Sequence, residues 1–458
     1  MRTIRFIACM VLAVAAALPQ AVQAQAPDRG FGIGNDYVKF RGRMQSLFLW
    51  RNDRDFDRTP PFYNAQDQDV GVLGTFFAPY LEITPVKELR IVAELELGLN
   101  LWSMQDPDVY DAGDEHWFRL AIRQLYTEGR FLDGRLGFRA GYEQLFDPSG
   151  LYLGHWLGAA SLTSAWKWGR VALTVGQVPD QTFEGVAFDA NNFNTDTIVY
   201  GLRFDLPFDR LGLSLSAWGM HDTQVIRQTM DLMTLTARFS GEWDTLKFGI
   251  DAGLQYGVTQ GRASGGDETT VAWSAQGSLD WRQPLRKDLA FRLQFNQLAL
   301  SGDDDHDGNA FNGAWFYSGK SRSRTMILTE DELRDRGGNL DERLAERRHG
   351  DRGKFWLARP GLSVTDLSLG LDVADFFKPL LTLGTAFTLN PDNALGGRFV
   401  GFETDLHLEF VYRKYLSFDL VGSYLLPGKA AAAFVNRTGN RTSTDGIWQV
   451  EASLTAWF

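Results

Sequence analysis

Trp448-Gln449-Val450-Glu451-Ala452-Ser453-Leu454-Thr455-Ala456-Trp457-Phe458, the last stretch of the chain, decides the fold. Counted back from Phe458, the residues Ala456, Leu454, Ala452, Val450 and Trp448 fall on one face, and Trp457, Thr455, Ser453, Glu451 and Gln449 on the other. Side chains alternate across a strand with period two, so one face is apolar and the other largely polar. That pattern suits the wall of a barrel with lipid outside and water inside.

Earlier segments repeat the pattern. Val38, Phe40, Gly42, Met44, Ser46, Phe48 and Trp50 oppose Lys39, Arg41, Arg43 and Gln45. Leu89 to Leu101, Leu246 to Val258 and Phe402 to Tyr412 alternate likewise, each long enough to cross a bilayer when tilted. The chain divides into about eighteen such strands, from Tyr37–Trp50 and Val70–Ile83 to Tyr415–Leu425 and Ile447–Phe458, an even number as single-chain bacterial barrels require. Odd-to-even links are long and polar, among them Arg51–Asp69, Asp147–Trp156, His221–Asp231, Ser301–Gly361 and Leu426–Gly446. Even-to-odd links, such as Thr84–Lys87 and Pro207–Arg210, are short. The expected fold class is therefore all-β, a transmembrane antiparallel barrel with long extracellular loops and short periplasmic turns. Pro79 lies within a strand and cannot donate to a ladder, so a bulge is expected there. The ending on Phe458 resembles the closing strand of bacterial outer-membrane barrels, which implies recognition of Phe458 by the barrel-insertion machinery.

The other end reads as an export signal. Arg2 and Arg5 precede the apolar run Phe6–Leu18, and Val22-Gln23-Ala24 is a small-residue cleavage site. The expected organisation is a cleaved signal over 1–24, a periplasmic segment over 25–36 and a barrel over 37–458, with a long extracellular loop at 301–361. Cys9 is the only cysteine and falls in the signal, so the mature chain has no disulfide, thiolate metal site or cysteine nucleophile. Mean hydropathy is -0.22 while aromatics make up 13% of residues, a balance that fits alternating strands with aromatic girdles in outer-membrane lipid. A net charge of -11 disfavours nucleic acid as a partner.

If apolar side chains face lipid, the alternate set lines the pore. Lys39, Arg41, Arg43, Arg119, Arg123, Arg139 and Arg203 come from the first half, and Asp251, Asp280, Asp372, Glu403, Asp405, Glu409, Asp419 and Glu451 from the second. Basic and acidic staves are therefore expected in different sectors, with Arg41 and Arg43 able to pair with Glu451 at the closing seam. Two readings stand together: a charge-selective lumen, or ion pairs that hold a wide barrel open. Asp303, Asp305, Asp307 and Gly308 fit the start of a calcium loop, although Ala314 stands where such a loop carries its bidentate Glu. Thr329–Gly353, dense in both charges, reads as a short helix at the mouth or as disorder. The six histidines show no metal-ligand spacing, and no G-x-S-x-G elbow occurs, so no catalytic residue is assigned and the protein is not expected to be an enzyme. His407, between Asp405 and Glu409 on one lumen face, reads as a solvated pore-wall residue.

Several short motifs resemble the alginate-export family of outer-membrane proteins. They are Ile122-Arg123-Gln124-Leu125-Tyr126-Thr127-Glu128, Leu136-Gly137-Phe138-Arg139, Ser301-Gly302-Asp303-Asp304-Asp305 with Asp307-Gly308 and Phe311, and Val400-Gly401-Phe402-Glu403-Thr404-Asp405-Leu406 followed by Leu426-Pro427-Gly428. The resemblance implies an eighteen-stranded monomeric barrel that exports a secreted polysaccharide, with periplasmic export components as partners. The periplasmic turn Val411–Tyr415 is too short for the long plug of the alginate exporter, and the lumen carries many acids. The alternative reading is a general or anion-preferring diffusion porin for small solutes, and a third is an adhesive surface protein.

Overall fold

The computed structural model describes residues 33–52, 70–103, 118–178, 197–225, 228–260, 268–303, 313, 315–317, 323–328, 346–347, 356–358, 361–394, 396–413, 415–435 and 444–458. Eighteen long strands form one antiparallel sheet that closes on itself. They are β1 (Val38–Asn52), β2 (Val70–Val86), β3 (Leu89–Ser103), β4 (Phe118–Phe131), β5 (Leu136–Phe146), β6 (Gly154–Trp166), β7 (Gly169–Val178), β8 (Thr197–Phe208) and β9 (Leu211–Val225). The second half supplies β10 (Gln228–Glu242), β11 (Leu246–Gln260), β12 (Glu268–Arg286), β13 (Leu289–Leu300), β14 (Leu362–Val373), β15 (Phe377–Phe387), β16 (Phe399–Tyr412), β17 (Leu416–Pro427) and β18 (Ile447–Trp457). Each pairs with its neighbours in sequence, and β1 pairs with β18 from Arg43↔Trp457 to Asn52↔Trp448. Closure leaves no long strand edge unpaired, which a bilayer core demands.

The period-two pattern becomes the two faces of this wall. Leu254 is 62% exposed on the outside, whereas Gln255, next in the chain, points inward and is 2% exposed. Leu95, Ile250, Leu406 and Leu454 are exposed on the same outer face. So continuous an apolar surface is tolerable only against acyl chains. Aromatic pairs ring its two rims: Tyr424–Trp448 at 4.5 Å and Phe387–Phe399 at 5.6 Å near the long loops, Phe377–Phe410 at 4.7 Å and Trp166–Trp168 at 5.3 Å near the short turns. The chain is a closed transmembrane antiparallel β-barrel.

At the seam, the Phe458 ring stacks on Phe77 at 5.7 Å and lies 6.1 Å from Phe40. Gly42 makes room for it, since a Cβ there would stand 2.4 Å from the ring. Gly42 and Phe458 also exchange main-chain hydrogen bonds of 2.9 and 3.0 Å. Ahead of β1, Ile33–Gly34 folds back on Lys39–Phe40, with Asn35 Oδ1 accepting from the N–H groups of Tyr37 and Val38.

Loop and turn lengths alternate as expected, with two differences. The non-glycine residues with left-handed backbone among the described residues, Leu132, Asp133, Asp209, Ala374 and Arg413, all sit in the short turns, where tight reversal requires that conformation. The expected long link His221–Asp231 is instead a continuation of strand: β9 reaches Val225 and β10 begins at Gln228. Its polar residues are cross-strand partners, with His221 Nδ1 2.7 Å from Asp231 Oδ1. Pro79 also departs from expectation. It keeps register with Gly42 of β1, and the ladder to β3 skips Ala78 and Pro79 without a shift. The missing N–H removes a rung and leaves the register intact. A bulge lies two strands further on, opposite Glu94 and Leu95, where Arg123 is the extra residue of β4.

A charge on the outer face should be costly while the lumen face tolerates it. Leu254→Arg should lower stability by about 2–4 kcal/mol in lipid vesicles if Leu254 lies near mid-bilayer. Denaturant titration by tryptophan fluorescence measures it, with Ser278→Arg, half-buried on the lumen face of β12, as a comparison that escapes the lipid penalty.

Candidate functional site

Sequence alternation leads one to expect an open, polar lumen, but its extracellular half holds an apolar core. After β5 the chain dips into the barrel over Asp147–Leu153, and Leu151, Tyr152 and Leu153 are all buried. Asp147 anchors this segment: its carboxylate accepts hydrogen bonds from Ser149 Oγ, Ser216 Oγ at 3.0 Å and Thr236 Oγ1 at 2.6 Å. Its main-chain N–H donates to Leu153 O at 2.8 Å, closing the loop on itself. Trp315, from the connection between β13 and β14, is fully buried and donates Nε1–H to Leu151 O at 2.8 Å. Ser323–Leu328 follows the wall deeper in, and the short helix α1 (Lys429–Val435) adds the buried Ala430 and Ala431.

The wall is shaped to receive these insertions. Met220, Met230, Leu232, Leu298, Leu300, Leu362 and Val364 point inward and pack in the same core. Near the long loops both faces of several strands are therefore apolar, as Leu298-Ala299-Leu300 shows. That doubled apolarity was the available signal for inward-folded loops, since a strand with water on one side would keep strict alternation.

Below the core, charge dominates. Ion pairs of alternating sign run strand to strand round the first sector. Lys39 meets Glu82 at 3.5 Å, Arg90 bridges Glu82 at 3.6 Å and Glu128 at 3.1 Å, and Arg139 bridges Glu128 and Glu143 at 2.6 Å each. Arg123 holds Glu96 through two hydrogen bonds of 2.7 and 2.8 Å, and Arg43 approaches the same carboxylate at 3.9 Å. Arg203 pairs with Asp205 at 2.8 Å. Arg41 stands opposite Tyr80 in the ladder. The side chain of Arg119 lies outside the described residues.

The expected separation of basic and acidic sectors is thus corrected. Glu82, Glu94, Glu96, Glu128 and Glu143 were missed in the first half, Glu128 because the bulge at Arg123 reverses the phase of β4. In the second half Arg292, Arg282 and Lys378 offset Asp280, Asp372 and Glu409 at 2.6, 2.6 and 3.0 Å, and His407 Nε2 lies 3.2 Å from Asp419. His407 is a pore-wall residue paired with Asp419. Arg43 does not reach Glu451: Leu49 stands opposite Glu451 in the ladder, and Gln449 links Glu451 to Arg51.

A second correction concerns exposure. Glu403, Asp405 and Glu451 point inward as expected but are 0, 2 and 2% exposed, so they line no water. Ser323–Leu328 lies over Glu403 and Asp405, with Glu403 accepting the N–H groups of Ile327 and Leu328 at 2.6 and 2.7 Å, and Gln449 holds Glu451. The cations of the first sector remain accessible, with the side chains of Arg43 and Arg203 44 and 37% exposed.

Of the calcium-like loop, Asp305 and Asp307 lie outside the described residues. Asp303 is buried, and its carbonyl accepts from Asn390 Nδ2 at 2.6 Å. Most of Thr329–Gly353 is likewise outside, and Glu346–Arg347 within it forms a strand pair with Trp356–Ala358.

A closed eighteen-strand barrel with loops folded into a charged lumen is the architecture of an outer-membrane porin. No protein-family model matches the sequence, and no curated relative does. Solved structures do. OccK9 (OpdG) of Pseudomonas aeruginosa aligns with a TM-score of 0.56 at 13% identity, covering 92% of this chain and 98% of that one. OpdK of Pseudomonas aeruginosa, solved with vanillate, gives 0.55 at 11%, and a BenF-like porin from Pseudomonas fluorescens Pf-5 gives 0.54 at 9%, both with the same coverage. At such identities the likeness is one of fold. Nothing among these relatives carries the finer resemblance to the alginate-export family.

Asp147→Ala should free the inserted loop. Losing a buried anionic acceptor costs about 1–3 kcal/mol locally. Single-channel recording should show higher conductance and more current noise, while circular dichroism of the barrel is unchanged.

Proposed function

We propose that this protein is a passive diffusion channel for small anionic solutes and not an enzyme. The observation that carries the proposal is the unequal covering of the two charges. The inserted Ser323–Leu328 buries Glu403 and Asp405, and Glu451 is buried beside Gln449, while guanidinium groups of the first sector stay wet. On that sector Lys39, Arg41, Arg43, Arg90, Arg123, Arg130, Arg139, Arg170 and Arg203 outnumber Glu82, Glu94, Glu96, Glu128, Glu143 and Asp205. Several acids lie beneath the arginines that pair with them; Glu96 and Glu143 are 5 and 3% exposed in their side chains. A permeating solute therefore meets positive charge first. Two unit charges 4 Å apart interact by about 4 kcal/mol at an effective dielectric near 20, enough to favour anions without trapping them once neighbouring acids are included.

Small carboxylates suit these forked donors, and the vanillate held by OpdK belongs to that class. Export of a polysaccharide is less well supported, because Asp147–Leu153, Trp315 and Ser323–Leu328 occupy the bore that an extended polymer would need. Recognition of Phe458 by the insertion machinery remains part of the proposal; its ring reaches its place between Phe40 and Phe77 only when the seam closes.

Reversal potentials across a salt gradient test the reading. The wild type should prefer anions, and Arg43→Gln with Arg203→Gln should reduce the anion-to-cation permeability ratio several-fold, because Arg123 still neutralises Glu96. A cation-selective wild type, or a double variant with unaltered selectivity, would refute it.

A further inference from the structure

The lumen contains one buried carboxyl pair with no cation partner among the described residues. Glu403 and Asp405 are two positions apart on β16, so both point inward, and both are almost wholly buried. Glu403 accepts the consecutive N–H groups of Ile327 and Leu328, one at each oxygen. Asp405 lies against Glu403, and its other polar neighbours are Ser423 and the main chain of Met326, none of them cationic.

Among the described residues the surroundings supply no counter-charge. From β15 the facing residues are Thr382, Gly384 and Ala386, and from β17 Ser423 and Leu425, none of them charged. On β16 itself His407 is paired with Asp419, and Glu409 with Lys378. Glu451 of β18 stands beyond β17 and is bound by Gln449. Arg324, in the inserted segment, is exposed and acts on Asp366 and Asp280. Two adjacent carboxylates in such a place cannot both be ionised without a large penalty, and sharing one proton is the usual resolution.

We propose that Glu403 and Asp405 share one proton and together form a latch that holds Ser323–Leu328 inside the lumen, so that losing the proton releases the segment and widens the channel. While the proton is present, a single negative charge faces two N–H donors. Transfer of the proton to hydroxide in the lumen adds a second charge in the same buried space, and hydration of both carboxylates then requires the covering segment to leave. The latched state binds the proton and the released state does not, so the released population grows as pH rises. The segment is fitted to its seat: Thr325 lies over Gly384, where an added Cβ would stand 3.4 Å from Thr325 Cβ. Glu403 and Asp405 are positioning residues for the constriction, and the inference rests on the channel reading above.

Single-channel conductance between about pH 5 and about pH 9 provides one test, a range that spans ordinary and strongly perturbed carboxyl groups. The wild type should conduct at least about twofold better at the alkaline end. Asp405→Asn removes the shared proton and leaves Glu403 to hold the segment, so conductance should stay at the low level throughout. Glu403→Gln cannot accept both N–H groups equally, so conductance should stay at the high level throughout. Thr325→Cys with Gly384→Cys places two thiols at a separation suited to a disulfide. Oxidation should abolish the alkaline rise, and reduction should restore it. A wild type indifferent to pH, or an oxidised pair that keeps the full rise, would overturn the latch. Thiol labelling of Thr325→Cys alone separates this from failure of the channel reading. Labelling that accelerates with pH supports the latch even in a barrel that passes no current, and labelling independent of pH refutes it even in one that does.

Discussion

Everything in this molecule follows from the need to pair main-chain polar groups where no water can reach them. In hydrocarbon an unpaired N–H or C=O costs several kcal/mol, so a sheet can span only if its first and last strands find each other. Here that contact runs from Arg43↔Trp457 to Asn52↔Trp448. Each hairpin has its own register, and the seam can close only where those registers add up around the wall. Phe458, packed over Gly42 between Phe40 and Phe77, marks the end of that register in side-chain form.

The same constraint explains why the fold was legible in the sequence and the interior of the pore was less so. Period-two alternation reports which face meets lipid, and strand after strand from Val38 to Trp457 obeys it, so all eighteen strands could be found. What alternation cannot report is what lies against the inner face. Met230, Leu232, Leu298 and Val364 are apolar inside as well as outside, because loops cover them. Glu403 and Glu451 look like pore-lining acids for the same reason: their phase is right, but their exposure depends on segments far away in sequence. Glu128 was missed through a different mechanism. The extra residue Arg123 inverts the phase of β4, and no local feature of Ile122-Arg123-Gln124 announces it.

Charge in the lumen is organised to be satisfied first and selective second. The series Lys39, Glu82, Arg90, Glu128 and Arg139 alternates in sign from β1 to β5, so each guanidinium or ammonium faces an acid on the next strand. Such belts stiffen a wide cylinder, since displacing one side chain leaves another charge unpaired. Selectivity arises from which partner lies on top. The Glu96 carboxylate is covered by Arg123, and Arg43 projects past it into the water. With acids lying beneath their partners, the more numerous bases thus present a positive surface.

The inserted loops complete the argument, because their anchors and the wall's charges are drawn from the same residues. Asp147 reaches from a loop to Ser216 and Thr236 on the wall, and Glu403 reaches from the wall to the main chain of a loop. In both cases a carboxylate fixes the insertion, and in both the acid is thereby withdrawn from the bore. A barrel that holds its loops with acids removes negative charge from the path while narrowing it. Constriction and the anion preference proposed for this pore are, on this wall, two consequences of one set of hydrogen bonds.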